Sequence, residues 1–271
     1  MRRLGEGRRA VLIALASTGA VFTGLGFAIV NAPGWPEIQH AFFDGHEFGS
    51  TFPGIASAFL LNVKIFCIAE ALILPIALGL AVLRSLPGPV FFPVRVLAIA
   101  YADFFRGVPT ILVITLLGLG APALALRGVP TSTTFWGIVS LVLVYTAYVS
   151  EVYRSGIESV HASQDAAARS LGLTRSQSLR YVVIPQAVRR VIPPLLNDFI
   201  GLQKDTALVG VLGAVEAFQQ TQIDQAATFN FTSGLAAAVL FVAVTVPLTR
   251  LADWLIGRDR RRLLAAAGAP V

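Results

Sequence analysis

Charge is scarce in this chain of 271 residues: 13% are Asp, Glu, Lys or Arg, against ~25% in an ordinary soluble domain. With 55% hydrophobic residues beside it, that shortage excludes a water-solvated globular domain and marks a membrane protein. Cysteine is nearly absent. The single Cys67 sits in an apolar run, where it suits packing, and it leaves no disulfide framework and no Cys-His metal spacing to infer. The three histidines, His40, His46 and His161, are too scattered to form a ligand cluster. No paired-carboxylate motif or nucleophile elbow accompanies them, so a membrane-bound enzyme has nothing to stand on. Lysine is limited to Lys64 and Lys204. Neither follows the Gly-rich turn that a phosphate-cradling P-loop requires, so the chain cannot hydrolyse ATP by itself.

What remains is apolar and divided into runs. A basic segment, 1–9, carries Arg2, Arg3, Arg8 and Arg9 and leads into an apolar run over 10–30. The run exceeds the core of a signal peptide, which favours an uncleaved span over a cleaved leader. Residues 31–56 read as a polar loop with Glu37, Asp44 and Glu47 and without Lys or Arg. Further spans are expected at about Ser57–Leu83, Phe92–Leu119, Thr134–Tyr153, Val191–Gly213 and Gly234–Gly257, followed by the cluster Arg258, Arg260, Arg261 and Arg262 in a basic tail, 258–271. The fold class is therefore an all-α membrane protein of about six transmembrane helices, one N-terminal and five in a core over 57–257. Basic residues favour the cytoplasmic side. With both termini inside, the inner segments hold Arg84, Arg95 and the six arginines from Arg154 to Arg190, whereas the outer loops hold Arg127 together with Glu216 and Asp224. The net charge of +6 and pI near 10.1 thus report orientation in the membrane before they suggest nucleic acid.

The most informative stretch is the polar one over 154–190. Ser163 is placed to cap a helix through Gln164, Asp165, Ala166, Ala167, Ala168, Arg169 and Ser170, and Gly172 to end it in the left-handed conformation. Thr174 and Gln177 form a capping box for a second helix, which Pro185 should stop or kink. Leu171, Leu173, Leu179, Val182 and Val183 give this helix-turn-helix an apolar side. It is too small to bury a core and must dock on something: a partner, the membrane surface, or its own protein. A DNA-reading helix-turn-helix has similar length, but both ends here run into membrane spans, which keeps its side chains from a major groove.

The sequence Ala166-Ala167-Ala168, three residues, Gly172, nine residues, then Val182-Val183-Ile184-Pro185 resembles the Glu-Ala-Ala loop of ABC importer permeases. The stretches TAYVSEVYRSGIESV (146–160), FFRGVPTILV (104–113) and IPPLLNDFIGLQKDTALVGVLG (192–213) are similar to the polar amino acid branch of that family. The likeness covers roughly Ser57–Ile256. Two positions depart from it: Ala166 stands where the family has Glu, with Asp165 the nearest carboxylate, and Ser163 where it has Gly. The resemblance implies a membrane subunit of the type I importer fold in a bacterial plasma membrane. It also implies two separate ATPase subunits that hold ATP and Mg, a second permease chain, an extracytoplasmic solute-binding protein and an amino acid substrate. No cofactor or nucleic acid would be bound by this chain. Docking to the ATPase would fall to Asp165, Ala166, Ala167, Ala168, Arg169, Gly172, Leu173, Arg175 and Pro185.

Ionisable and polar residues inside spans mark substrate paths or pair to hold helices together, because a charge at mid-bilayer costs about 2.5 to 3.5 kcal/mol on insertion scales. Glu70, Asp103, Arg106, Glu151, Asn197, Asp198, Lys204, Asp205 and Thr206 are the candidates here. Asp103 and Arg106 are spaced to pair on one helical face. A path with fixed charges of both signs suits an amino acid, which carries an ammonium and a carboxylate. The alternative reading is a self-sufficient secondary transporter or channel, for which the same in-span charges would serve.

Overall fold

The computed structural model describes the backbone of residues 2–86 and 88–266 and the side chains of residues 9, 11–86 and 88–258. The side chains of Arg2, Arg3, Arg8, Arg260, Arg261 and Arg262 lie outside the described residues. Among the described residues every regular element is helical. In chain order they are α1 (Arg2–Val30), α2 (Trp35–Phe42), α3 (Gly45–Ser85), α4 (Phe92–Gly107), α5 (Thr110–Ala123), α6 (Thr133–Glu158), α7 (Ala162–Ser170) and α8 (Arg175–Ser178). A π-helical segment (Leu179–Val183), α9 (Ile184–Asp205), a 3-10 segment (Thr206–Leu212), α10 (Ala217–Thr228) and α11 (Thr232–Ala266) follow. Among the described residues four stretches, Val11–Val30, Trp35–Ser85 (α2 running on into α3), Thr133–Glu158 and Thr232–Arg258, are long and apolar enough to cross a membrane, and the bent pair α4–α5 makes up to five.

Several expected boundaries shift, each for a local reason. The 31–56 loop is largely helical: α2 occupies part of it and α3 starts at Gly45, where the Asp44 carboxylate accepts from the amides of His46 (2.8 Å) and Glu47 (3.2 Å). Phe48, Phe52, Ile55 and Phe59 recur at helical spacing and pack against Ala236, Ala237, Leu240 and Phe241 of α11, which extends the helix through residues that read locally as loop. The third expected span breaks into α4 and α5, bent by 101°. Pro109 lacks the amide needed to continue the helix and holds Val108 extended at φ −93°, ψ 132°. The fifth begins earlier, at Ile184, tightens into the 3-10 segment, and by length and composition does not qualify as a span. Its prolines and charges, Pro193, Pro194, Asp198, Lys204 and Asp205, account for that. The basic 1–9 and 258–271 segments are helical over 2–9 and 258–266. Cys67, expected in packing, is exposed on α3.

The core is organised around α6. Leu141, Val144, Tyr145 and Val149 are buried there against Ile65, Ala69, Ile73 and Ala77, a stripe of α3 repeating every four residues, and against Leu202 of α9 and Val209 of the 3-10 segment. At its C-terminal end α6 closes directly on α9. A Cβ built on Gly156 would lie 2.0 Å from Val191 Cγ1, and Arg190 donates to the Ser159 carbonyl. Gly156→Leu should therefore force these two helices apart, an overpacking cost of about 1–3 kcal/mol. A lowered melting temperature in detergent, partly restored by Val191→Ala in the same chain, is the expected result; a melting temperature equal to the parent's would contradict the close packing.

Candidate functional site

The polar knob forms as a helical hairpin. His161, not Ser163, caps α7: its Nδ1 accepts from the Ser163 amide at 3.2 Å, so the helix starts one residue before the expected cap. The ring of His161 reaches back over the first turn, and the hydroxyl of Ser163 lies 2.7 Å from the same nitrogen. Gly172 ends the helix at φ +89°, with its amide bonded to the Arg169 carbonyl (3.0 Å) and the Leu173 amide to the Ala168 carbonyl (3.3 Å). This Schellman arrangement needs a residue free in the left-handed region. The capping box is complete: the Thr174 amide donates to Gln177 Oε1 (2.9 Å) and the Gln177 amide to Thr174 Oγ1 (3.3 Å). Pro185 does not stop the chain. The helix runs on through the wider turn over Leu179–Val183, whose looser bonding accommodates the missing amide of Pro185, and continues as α9 from Ile184.

Exposure sorts the docking candidates. Ala166, Ala167, Arg169, Gly172, Arg175 and Pro185 face solvent, Leu173 is half-buried, and Ala168 is buried within the hairpin. Asp165 is turned inward, accepting from the buried Ser178 hydroxyl at 2.5 Å, so the carboxylate nearest the Ala166 position clasps α7 to α8. Leu171 was not among the candidates, yet it is 82% exposed at the tip. Its signal was present in sequence: an apolar residue next to the glycine of a turn otherwise made of polar side chains.

A second locus lies between α5, α6 and α9. A polar pocket of about 170 Å³ is lined by Thr110, Tyr145, Tyr148, Asn197, Asp198, Gly201 and Asp205. The Tyr145 hydroxyl donates to Asp205 Oδ2 at 2.9 Å, and Asp198 Oδ2 is buried without a hydrogen-bond partner. Three candidates thus meet: Asn197, Asp198 and Asp205. The others go elsewhere. Thr206 is buried and accepts from Asn62 Nδ2 at 3.1 Å. Lys204 does not line the polar pocket; it lines a larger apolar cavity of about 440 Å³ with Phe218 and Phe241. Glu70 is half-buried on α3 outside the pocket lining, and Asp103 is exposed on α4. Arg106 makes no pair with Asp103; it approaches Glu151 at 3.8 Å, and that carboxylate also takes Arg84 of α3 (2.9 Å) and Arg154. Glu151 is an ionic hub joining α3, α4 and α6 rather than a pocket residue.

Sequence reading missed the pocket's two tyrosines, since aromatic residues in an apolar span are indistinguishable from core until a fold places them. It also placed Glu216 in an outer loop. The carboxylate is fully buried, receiving Asn62 Nδ2 (2.8 Å) and the amides of Phe218 (2.9 Å) and Gln219 (2.8 Å) as the N-cap of α10. Burial pushes this carboxyl up from its ordinary range, and those hydrogen bonds pull the other way.

Residues 90–262 match the family of binding-protein-dependent transport system inner membrane components. The chain belongs to that family. It is 32% identical over 190 residues to the probable glutamine ABC transporter permease GlnM of Bacillus subtilis, covering 70% of this chain and 84% of that protein. With the probable amino-acid permease YxeN of the same organism the identity is 33% over 207 residues, covering 75% of this chain and 90% of the relative. A solved structure of an amino acid ABC transporter with histidines shares the fold at a TM-score of 0.72 and 28% identity, over 79% of this chain and 98% of that one. The methionine transporter MetNI, inward facing, shares the fold at 0.59 and 18%. This permease is therefore a multi-pass membrane protein and a transport subunit, and the likenesses favour an ABC importer over a self-sufficient transporter or channel.

Proposed function

We propose that this permease forms, with a second permease chain of the same or a related kind, the membrane pathway of an ATP-driven importer for polar amino acids. An extracytoplasmic binding protein delivers the substrate, and two separate ATPase subunits, which bind ATP and Mg, dock on the α7–α8 knob. The setting is a bacterial plasma membrane with both termini cytoplasmic.

The observation that carries this reading is the placement of the two loci on the same pair of helices. The knob connects α6 to α9, and those helices supply Tyr145 and Tyr148 on one side and Asn197, Asp198, Gly201 and Asp205 on the other side of the polar pocket. Close packing of Gly156 on Val191 and the Arg190–Ser159 bond lock the two legs together beside the knob. A rigid-body push on the knob is therefore delivered to the pocket without slack, the kind of motion that exchanges inward-open and outward-open states. Exposed Leu171, Ala166 and Ala167 form the apolar part of the docking face, and Arg169 and Arg175 flank it.

The chemistry of the pocket suits an amino acid. Its unpartnered Asp198 oxygen is an acceptor waiting for a donor, and the substrate ammonium supplies one. The Asn197 amide and the Thr110 hydroxyl offer donors to the substrate carboxylate. Purification of the tagged chain from its own membranes in mild detergent tests the assembly. Co-purification of a P-loop ATPase and a secreted solute-binding protein is expected; recovery of a well-folded chain alone would overturn the reading.

A further inference from the structure

We propose that the 3-10 segment, Thr206–Leu212, is the door of the polar pocket on the side of the α5–α6 connection, and that Asn62 and Glu216, which lie outside the pocket lining, position it. This rests on the pocket being the substrate path; in the orientation proposed above the door faces outward. The course of the chain places it there. The segment continues directly from Asp205, which lines the pocket. Thr110 of α5 and Tyr145 of α6 line the same pocket, and Gly118 and Gly137 lie about 12 Å farther along those helices toward their connection. These two glycines receive the segment: a Cβ on Gly118 would overlap Leu212, and one on Gly137 would overlap Val209. Val209 is fully buried and Leu212 is 6% exposed, so the segment fills the space between α5 and α6 on that side of the pocket.

A buried polar cluster holds the segment closed. Its members are Thr206 at the start of the segment, Asn62 of α3 and Glu216 at the cap of α10, all buried. Asn62 Nδ2 donates to Thr206 Oγ1 (3.1 Å) and to Glu216 Oε2 (2.8 Å), while Asn62 Oδ1 accepts from the Ala217 amide (3.0 Å). Glu216 accepts the amides of Phe218 and Gln219, so these two side chains take the first three amides of α10, which have no partner within the helix. Gly213, at φ +81°, turns the chain so that Glu216 returns over Gly210, where a Cβ would overlap its carboxylate. Moving the segment out from between α5 and α6 breaks the bonds of Asn62 together and leaves buried polar groups unpaired. Asn62 and Glu216 thereby set how firmly the segment, and Asp205 at its root, stays in the closed position, without lining the pocket themselves.

Thiol accessibility in the full-length chain tests this. In a Cys67→Ala background, Thr110→Cys places a reporter in the pocket, and the membrane-impermeant reagent trimethylammonioethyl methanethiosulfonate is added outside sealed right-side-out membrane vesicles. Modification should be slow in this chain. Glu216→Gln keeps the shape but turns a donor toward Asn62, and Asn62→Asp sets two carboxylates together; each should speed modification by about tenfold or more. Asn62→Asp with Glu216→Gln restores a donor–acceptor pair and should return the slow rate, a rescue that general loosening would not give. Val209→Ala, which vacates the contact with Gly137 and touches no polar group, should also speed modification and serves if the polar variants do not fold. Fast modification of the reporter chain, or slow modification in every folded variant, would overturn the proposal. The rate reports closure of the pocket and not uptake, so its failure is distinct from a failure of the transport reading.

Discussion

Valine in place of Gly172 will uncouple transport while the chain stays inserted. Nothing lies within 4 Å of a Cβ added at this position, so the substitution meets no steric wall. The effect is confined to the backbone, which at φ +89° is open to glycine and closed to a β-branched residue. Forcing such a residue into the left-handed region costs about 1–3 kcal/mol. The Schellman bonds from Gly172 and Leu173 then compete with a relaxed turn, and Leu171, Arg169 and Arg175 leave the geometry in which they are presented together. A docking-competent population reduced by about tenfold lowers ATP-driven uptake by the same factor. Gly172→Asn should retain most of the uptake, because asparagine tolerates this conformation. Uptake per inserted chain, measured in vesicles containing the ATPase and the binding protein, decides the matter. Parent-like uptake by the valine variant would remove the knob from the coupling path.

Asparagine in place of Asp198 should raise the KM for substrate and cut uptake by about thirtyfold or more, as expected when one partner of a desolvated charge pair loses its charge. The size of the substitution is not the cause, since asparagine keeps the shape and the polar contacts available to Asn197 and Tyr145 next to it. What changes is the negative charge at an oxygen that has no partner within the protein. Lys204→Gln is the comparison: its side chain lines the apolar cavity and not the polar pocket, so its effect on KM should be much smaller. An unaltered KM in the Asp198 variant would show that the substrate ammonium binds elsewhere.

Elements whose causes are local could be read from the chain. The capping box of Thr174 and Gln177 and the left-handed Gly172 are decided within a few residues, so the knob was legible almost to the residue. Its first cap falls two residues before the expected one because a histidine ring, an uncommon cap, takes the role expected of Ser163. The start of α3 was not legible: Gly45, Gly49, Ser50 and Gly54 look like loop, and beyond the Asp44 cap it takes the packing of Phe52 and Phe59 on α11, far along the chain, to make them helix. The candidate site divides in the same way. Asp198 and Asp205 announced themselves as charges in an apolar setting, and the pocket brings them together. Whether Arg106 pairs with Asp103, one turn away, or with Glu151 on another helix depends on topology, and spacing alone pointed to the wrong carboxylate. Tyr145 and Tyr148 gave no signal because their hydroxyls become meaningful only once α9 lies opposite.

The central claim, that energy enters through a separate ATPase docked on the knob, is tested most directly by transport in sealed vesicles containing the purified chain, with and without the ATPase subunits and the binding protein. Sustained uptake of a labelled polar amino acid should require all of these components and ATP, and should be absent from the chain alone even when an ion gradient is imposed. Sustained, gradient-driven uptake by the chain alone would contradict the account.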